Sequence, residues 1–199
     1  MKLRCLFLAL ACLVSVANAH PDVDADWKLI PLHHGMNSVN LDGAGLMATI
    51  VIARRDNFNA HSFLVTTIYS SLKTGEGEEP ELRIIPVMRE GNGANEELYL
   101  RTDGGADCVL HDFRLLADAA HQSTVLIIAA RAFGETLADE QPVTFERFRL
   151  TRNSEGEVGA PALYFKFEKR WKSAKAYCDV GEAFQSELGI GEERTPAGH

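Results

Sequence analysis

Leu46-Met47-Ala48-Thr49-Ile50-Val51-Ile52-Ala53, then Arg54-Arg55-Asp56-Asn57-Phe58-Asn59-Ala60-His61-Ser62-Phe63, then Leu64-Val65-Thr66-Thr67-Ile68-Tyr69 is the stretch that decides the fold. The two flanks are rich in β-branched residues, whose stiff side chains suit a pleated surface, and each is strand length. Between them lies a dense set of amide, charged, imidazole and hydroxyl groups. Buried without partners, such groups cost free energy, so the insert is either a self-satisfied structural network or a recognition site. As a network, Asn57 and Asn59 bond the backbone of a bulge, Phe58 and Phe63 enter the core, and Arg54 and Arg55 pair with surface acids. As a site, Arg54, Arg55, Asn57, Asn59, His61 and Ser62 present donors to a small polar or anionic ligand, or to a partner's surface. Arginine's planar fork suits a carboxylate in particular.

Outward from this hairpin the chain repeats the same rhythm. Leu29–Leu32 and Ser38–Leu41 read as short strands around a turn at His33-His34-Gly35-Met36-Asn37, and Asp42-Gly43-Ala44-Gly45 reads as a tight turn. Residues 73–81 form a glutamate-rich solvated loop. Leu82–Val87 and Glu97–Arg101 follow as strands, separated by the Gly/Asn-rich 91–95. Cys108–Leu116 places Val109, His111 and Phe113 on one side. Thr124–Ala130 is almost wholly apolar, the pattern of a strand buried on both faces. Pro142–Thr151 and Leu163–Lys169 alternate. Asp179–Leu188 reads as a helix with Ala183, Phe184 and Leu188 on one stripe and Gly189 as its cap. No βαβ rhythm and no fixed-period repeat occurs. The expected fold is mainly β, an antiparallel sandwich or open barrel with a C-terminal helix.

The first nineteen residues read as a secretory signal: Lys2 and Arg4, an apolar run from Cys5 to Val16, then Ala17-Asn18-Ala19 before His20-Pro21. Cys12 lies inside that run, and Ala9-Leu10-Ala11 before it fit a lipoprotein signal poorly. Residues 20–199 are expected as a single secreted, mainly β domain. Removing Lys2 and Arg4 takes the formal charge from −8 to −10. Nucleic acid is not an expected partner of so acidic a domain. No later stretch is long and apolar enough to span a bilayer. Maturation leaves two cysteines, Cys108 and Cys178. In an oxidising compartment the pair is expected as a disulfide closing about 70 residues, worth roughly 3–4 kcal/mol.

Catalytic and metal motifs are weak. Ser70-Ser71-Leu72-Lys73 matches S-x-x-K and Lys73-Thr74-Gly75 matches K-T-G, but the two share Lys73, which no serine β-lactamase site allows. No G-x-S-x-G, H-x-x-x-H, C-x-x-C or H-E-x-x-H spacing occurs. His33 and His34 are adjacent, His61 is alone, and His111-Asp112 is a neighbouring pair. Asn40–Gly45 lacks the second carboxylate of a calcium loop, Ala44 standing in its place. No cofactor, no metal and no enzymatic activity are expected.

One resemblance covers most of residues 33–188. His34-Gly35-Met36-Asn37-Ser38-Val39-Asn40-Leu41-Asp42-Gly43, Arg55–Phe63, Gly105-Ala106-Asp107-Cys108-Val109-Leu110-His111-Asp112-Phe113 and Tyr177-Cys178-Asp179 resemble the CarG-like family of carbapenem intrinsic (self-) resistance proteins. The N-F-N-A-H-S-F block is the most specific of these. Ala44 departs from the family's D-G-D-G turn. The resemblance implies a periplasmic protein that protects against β-lactam by binding the drug or shielding its target, without hydrolysis. Its partner would be a β-lactam or a periplasmic protein. Two other readings stay open: an immunity or inhibitor protein capping a toxin or enzyme, and a metal- or carboxylate-dependent hydrolase.

Overall fold

The computed structural model describes residues 27–59, 61–72, 81–89, 96–105 and 108–191. The proposed leader, the loop at 73–80 and the loop at 91–95 lie outside them. Twelve strands and one helix follow in chain order: β1 (Trp27–Leu29), β2 (Gly35–Asn40), β3 (Met47–Arg55), β4 (Phe63–Leu72), β5 (Glu81–Ile84), β6 (Val87–Met88), β7 (Glu96–Glu97), β8 (Leu100–Gly104), β9 (Val109–Asp118), β10 (Ser123–Arg131), β11 (Gln141–Arg152), β12 (Leu163–Tyr177) and α1 (Val180–Leu188). They form one large sheet in the order β2-β3-β4-β8-β9-β10-β11-β12-β6-β7, with β1 on β9 and β5 on β4. All pairings are antiparallel except β6 with β12.

The sheet is not closed. It folds over so that β2–β4 cover one face of the β9–β12 region, while α1 covers the other. Two cores result. Ile50, Ile68, Phe113, Leu115, Leu126, Phe148 and Phe165 fill the space between the two halves of the sheet. Val125, Ile127, Ala129, Val143, Phe145 and the helix residues Ala183, Phe184 and Leu188 fill the other. This double cover is why Thr124–Ala130 is apolar at nearly every position. The segment 81–88 lies across the gap in the sheet: Ile85 N–H donates to Ile68 O and Phe165 N–H to Pro86 O, both at 2.8 Å. Pro86 has no N–H to continue a ladder, so the expected single strand Leu82–Val87 divides into β5 and β6.

A second departure sits on β12. Opposite Arg147 and Phe148 stand Lys169 and Phe167, so Glu168 is an extra residue, a β-bulge. It reverses the alternation. Phe165 and Phe167 face the inter-sheet core, while Trp171 joins the helix side and stacks on Phe145 at 5.4 Å between centroids. Further differences are local. Gly35-Met36-Asn37 begins β2 rather than ending a turn, and of Val109, His111 and Phe113 only Phe113 is core.

The helix forms where its caps dictate. Asp179 accepts from Gly181 N–H at 2.6 Å, and Gly189 closes the other end at φ 69°, a left-handed position that glycine occupies without penalty. The second oxygen of Asp179 accepts from Val109 N–H at 2.9 Å, tying the cap to β9. Beside it Cys108 and Cys178 form the expected disulfide, Cα atoms 5.5 Å apart. Asp42 also makes the plain turn read from the sequence, accepting from Ala44 and Leu46 N–H at 2.9 and 2.8 Å.

Asp118, 2 % exposed, sets an acid limit on this fold. Burial pushes its carboxyl up, but Arg149 at 2.6 Å and His121 at 2.8 Å outweigh that and hold it below the usual carboxylate range. Burial likewise raises Glu187, and Tyr177 at 2.7 Å with the Ala174 and Lys175 N–H groups brings it below its ordinary value. A depressed folded-state value contributes stability that is complete above the unfolded value, about 4, and is lost as pH falls through the folded one. Urea midpoints measured from pH 6 to pH 2 should therefore hold steady and then drop below about pH 4. The Asp118→Asn variant should show a shallower drop.

Candidate functional site

The polar insert is a connection between β3 and β4 that satisfies itself. Asp56 accepts from Phe58 N–H at 3.0 Å and from the Ser62 hydroxyl at 2.9 Å. That hydroxyl accepts from Asn57 N–H at 3.1 Å. Asn57 donates its amide to His61 O at 2.7 Å, and Asn59 Oδ1 accepts from His61 N–H at 2.9 Å. The Phe58 and Ser62 bonds to the charged carboxylate draw Asp56 below the usual range. The side chains of Asp56, Asn57, Asn59 and Ser62 are thus engaged within the loop, as the network reading requires.

The two phenylalanines differ from expectation. Phe58 is 98 % exposed and stands at φ 55°, a conformation that costs a bulky residue about 1–2 kcal/mol. Phe63 is half-buried, with the Arg101 guanidinium 4.0 Å and the Arg55 guanidinium 5.8 Å from its ring centroid. The loop's bonds hold Phe58 N–H and the turn in place, so the aromatic ring is left outside. Replacing Phe58 by Asn, which tolerates this conformation, should raise the melting temperature, since no packing is lost. Asn59→Ala should lower stability by about 1 kcal/mol through the loss of one backbone partner. His61→Ala should leave it unchanged. A calorimetric comparison of the three checks the network directly.

A cleft of about 790 Å³ opens beside this loop. Its origin is a split in the sheet. β8 pairs β9 at His111 and Val109, then diverges to pair β4, while β1 reaches β9 only at Leu116–Asp118. The intervening stretch of β9, residues 112–115, forms a wall of the cleft. Side chains do there what a neighbouring strand would do. Asp112 accepts from Phe113 N–H at 2.9 Å, from the Thr102 hydroxyl at 3.0 Å and from Arg114 at 2.6 Å. Arg114 in turn donates to Phe113 O at 2.8 Å and lies 4.4 Å over the Phe184 ring. The pair is nearly fully buried, so each charge depends on the other.

The opposite wall is the apolar run Leu29-Ile30-Pro31-Leu32, followed by His33 and His34. Asn37 braces that run, bonding both His33 N–H and His33 O at 2.9 and 2.8 Å. Of the six residues proposed from the sequence, Arg54 and Ser62 line the cleft. Arg54 is exposed there, and its positive charge helps to hold Asp56 below the usual carboxylate range. Arg55, Asn57, Asn59 and His61 lie outside the lining. Asp103 lines it too, engaged by Arg101 at 2.6 Å and His111 at 2.5 Å.

Thr102 and Arg114 are not singled out by the sequence, and Asp112 enters there only as the neighbour of His111. The signal was present in Asp112-Phe113-Arg114: two opposite charges at i and i+2 share one strand face within an apolar run. Ser70, of the S-x-x-K match, lies buried on β4 with its hydroxyl toward Arg83 O, in a strand rather than at a helix start. Among the described residues no cluster of three His, Cys, Asp or Glu is placed to hold a metal.

A comparison with solved structures finds the crystal structure of CarG, 21 % identical, with a TM-score of 0.64 over 83 % of this chain and 99 % of that one. At that identity the likeness is one of fold. None of the curated proteins matches the chain. A family model described as "Carbapenem resistance protein CarG-like" matches residues 32–186, which takes in β2 through nearly all of α1, the polar loop and the β9 wall of the cleft. The chain therefore belongs to the CarG-like family of carbapenem resistance proteins.

Proposed function

We propose that this protein is secreted to the periplasm and protects the cell against carbapenems by binding the drug without hydrolysing it, in the cleft between β8 and the 29–34 segment. The cleft carries this reading. Its volume falls within the range of small-molecule sites, about 300–1,000 Å³, and it joins an apolar wall to a few placed polar groups. A carbapenem is a compact fused bicycle that carries a β-lactam amide and one ring carboxylate on a hydrocarbon frame. Arg54 at the rim offers that carboxylate a charge-assisted fork, and Ile30, Pro31 and Leu32 offer the ring system an apolar bed. Ser62, whose hydroxyl is committed to Asp56, acts as a positioning group of the rim rather than a nucleophile. The leader sequence and the disulfide support an oxidising compartment.

Expression in a carbapenem-sensitive host should raise the inhibitory concentration, and deletion of residues 1–19 should abolish the gain. The purified protein should bind drug with the β-lactam absorbance preserved, and Arg54→Ala should weaken that binding about tenfold at an unchanged melting temperature. An unchanged inhibitory concentration removes the protective role. Turnover of the drug removes the non-hydrolytic one.

A further inference from the structure

Strands β11 and β12 carry eight of the chain's 20 Lys and Arg residues but only two of its 28 acids, Glu146 and Glu168. In a chain of net charge −8 this is a strong concentration of cations, and it lies beside an open edge. On one side β12 pairs β11 from Leu163 to Tyr177, but on the other it meets only β6, at Phe165 and Lys166. From Phe167 to Lys172 no strand among the described residues covers the outer side. This stretch spans about 20 Å and turns alternate backbone N–H and C=O groups outward. Lys169 and Trp171 share one face of the edge, the ammonium 4.8 Å from the ring centroid. Arg170 and Lys172 lie on the other, opposite Glu146 and Thr144 of β11. Both acids are spent inward: Glu168 is held by Arg147 and Arg149 at 2.7 and 2.8 Å, and Glu146 by Arg170 at 2.6 Å. Lys166 and Lys172 remain exposed at the rim.

We propose that this edge takes an extended, acidic segment of another protein as an added strand. Main-chain hydrogen bonds supply the affinity, and the segment's carboxylates meet Lys172 and the cations beside it. Two observations select that occupant. The first is a pairing of the same kind within the fold. Where the open edge ends, Glu187 of α1 lies against it and accepts from Ala174 and Lys175 N–H at 3.1 and 3.3 Å. A carboxylate set on the backbone donors of this strand is thus already part of the structure. The second is charge. Lysines on an edge guard it against pairing with its own kind, because a second copy of β12 would set ammonium and guanidinium groups against one another. That guard is selective in sign: an acidic strand turns the same repulsion into cross-strand ion pairs. An anionic lipid surface would use the charge alone and leave the outward N–H and C=O groups without a ladder. The edge shares no residue with the cleft lining, so strand addition here stands apart from drug binding.

Fluorescence anisotropy should show saturable binding of a labelled peptide of alternating glutamate and valine to the purified protein at low salt, weakening several-fold at high salt. The same peptide N-methylated at alternate residues keeps its charge but cannot form the ladder, and should bind about tenfold more weakly. A lysine–valine peptide should not bind. Lys172→Glu should also weaken binding about tenfold, with the circular dichroism and melting temperature of the wild type, because that side chain is exposed. A wild-type protein that ignores the glutamate peptide overturns the proposal. Equal binding of the N-methylated peptide overturns it too, since charge alone would then account for the contact. Unchanged binding by folded Lys172→Glu places the contact elsewhere. Wild-type protein that sediments with phosphatidylglycerol vesicles while the peptide fails to bind assigns the cations to a lipid surface instead.

Discussion

Asp112→Ala should lower the free energy of unfolding by about 3–5 kcal/mol, among the largest losses any single side chain of this protein can cause. Three groups depend on that carboxylate: the Arg114 guanidinium, the Thr102 hydroxyl and the Phe113 N–H. The alanine removes one charge and leaves the other in a site about 4 % exposed, where Phe113 O and the Phe184 ring remain but the opposite charge is gone. Asp112→Asn should cost less, because the amide oxygen still accepts from Phe113 while the charge attraction is gone. Thr102→Val, which deletes only a neutral hydroxyl donor, should cost about 1 kcal/mol. Urea unfolding followed by fluorescence and by circular dichroism orders the three. A loss below about 1 kcal/mol for Asp112→Ala would mean that water reaches Arg114 and solvates it, so that β9 is not sealed at this point. The same variants test the cleft, since the wall that binds ligand in the proposed function is the wall this network holds in place.

Why that network escaped a reading of the sequence, when so much else did not, is a matter of range. The β3–β4 hairpin was legible because Met47–Ala53 and Leu64–Tyr69 each declare a strand locally, and a polar insert of this length can only be their connection. The α1 caps, Asp179 and Gly189, are equally local. Thr124–Ala130 announces its burial by composition. The Glu168 bulge is different: Phe165, Phe167 and Trp171 all hold odd positions across it, and only pairing against Arg147 and Phe148 shows which residue is surplus. The cleft is a non-local product too, created where β8 leaves β9 before β1 arrives. Its wall residues therefore sit in a strand that reads as ordinary core. The polar loop is legible as a dense set of hydrogen-bonding groups. Its amides and Asp56 are consumed by the turn they build, and only its two ends, Arg54 and Ser62, reach the cleft. A phenylalanine beside a strand end normally enters the core, and nothing local reports that the loop's own bonds turn the Phe58 ring outward.

Replacing both Cys108 and Cys178 by alanine should cost about 4 kcal/mol, the chain-entropy value for cross-linking residues 70 apart. The effect should not be spread evenly. The cross-link joins the start of β9 to the start of α1, exactly one residue from the Asp179 carboxylate that accepts from Val109 N–H. With the link present, that hydrogen bond and the helix cap close within an already restricted geometry. Without it, the same contacts must also hold down a nine-residue helix that, by itself, is too short to be stable in water. Helix α1 should then open ahead of the sheet, uncovering Val143, Phe145 and the ring of Phe184 on which Arg114 rests. Hydrogen exchange should show amide protection in 180–188 falling to a greater extent than protection in β10 and β11, whose two covered faces retain the inter-sheet core. Adding reductant to the wild-type protein should reproduce the loss. Equal loss of protection in α1 and β10 would mean that helix and sheet unfold as one unit, and the disulfide would then act on the unfolded chain alone.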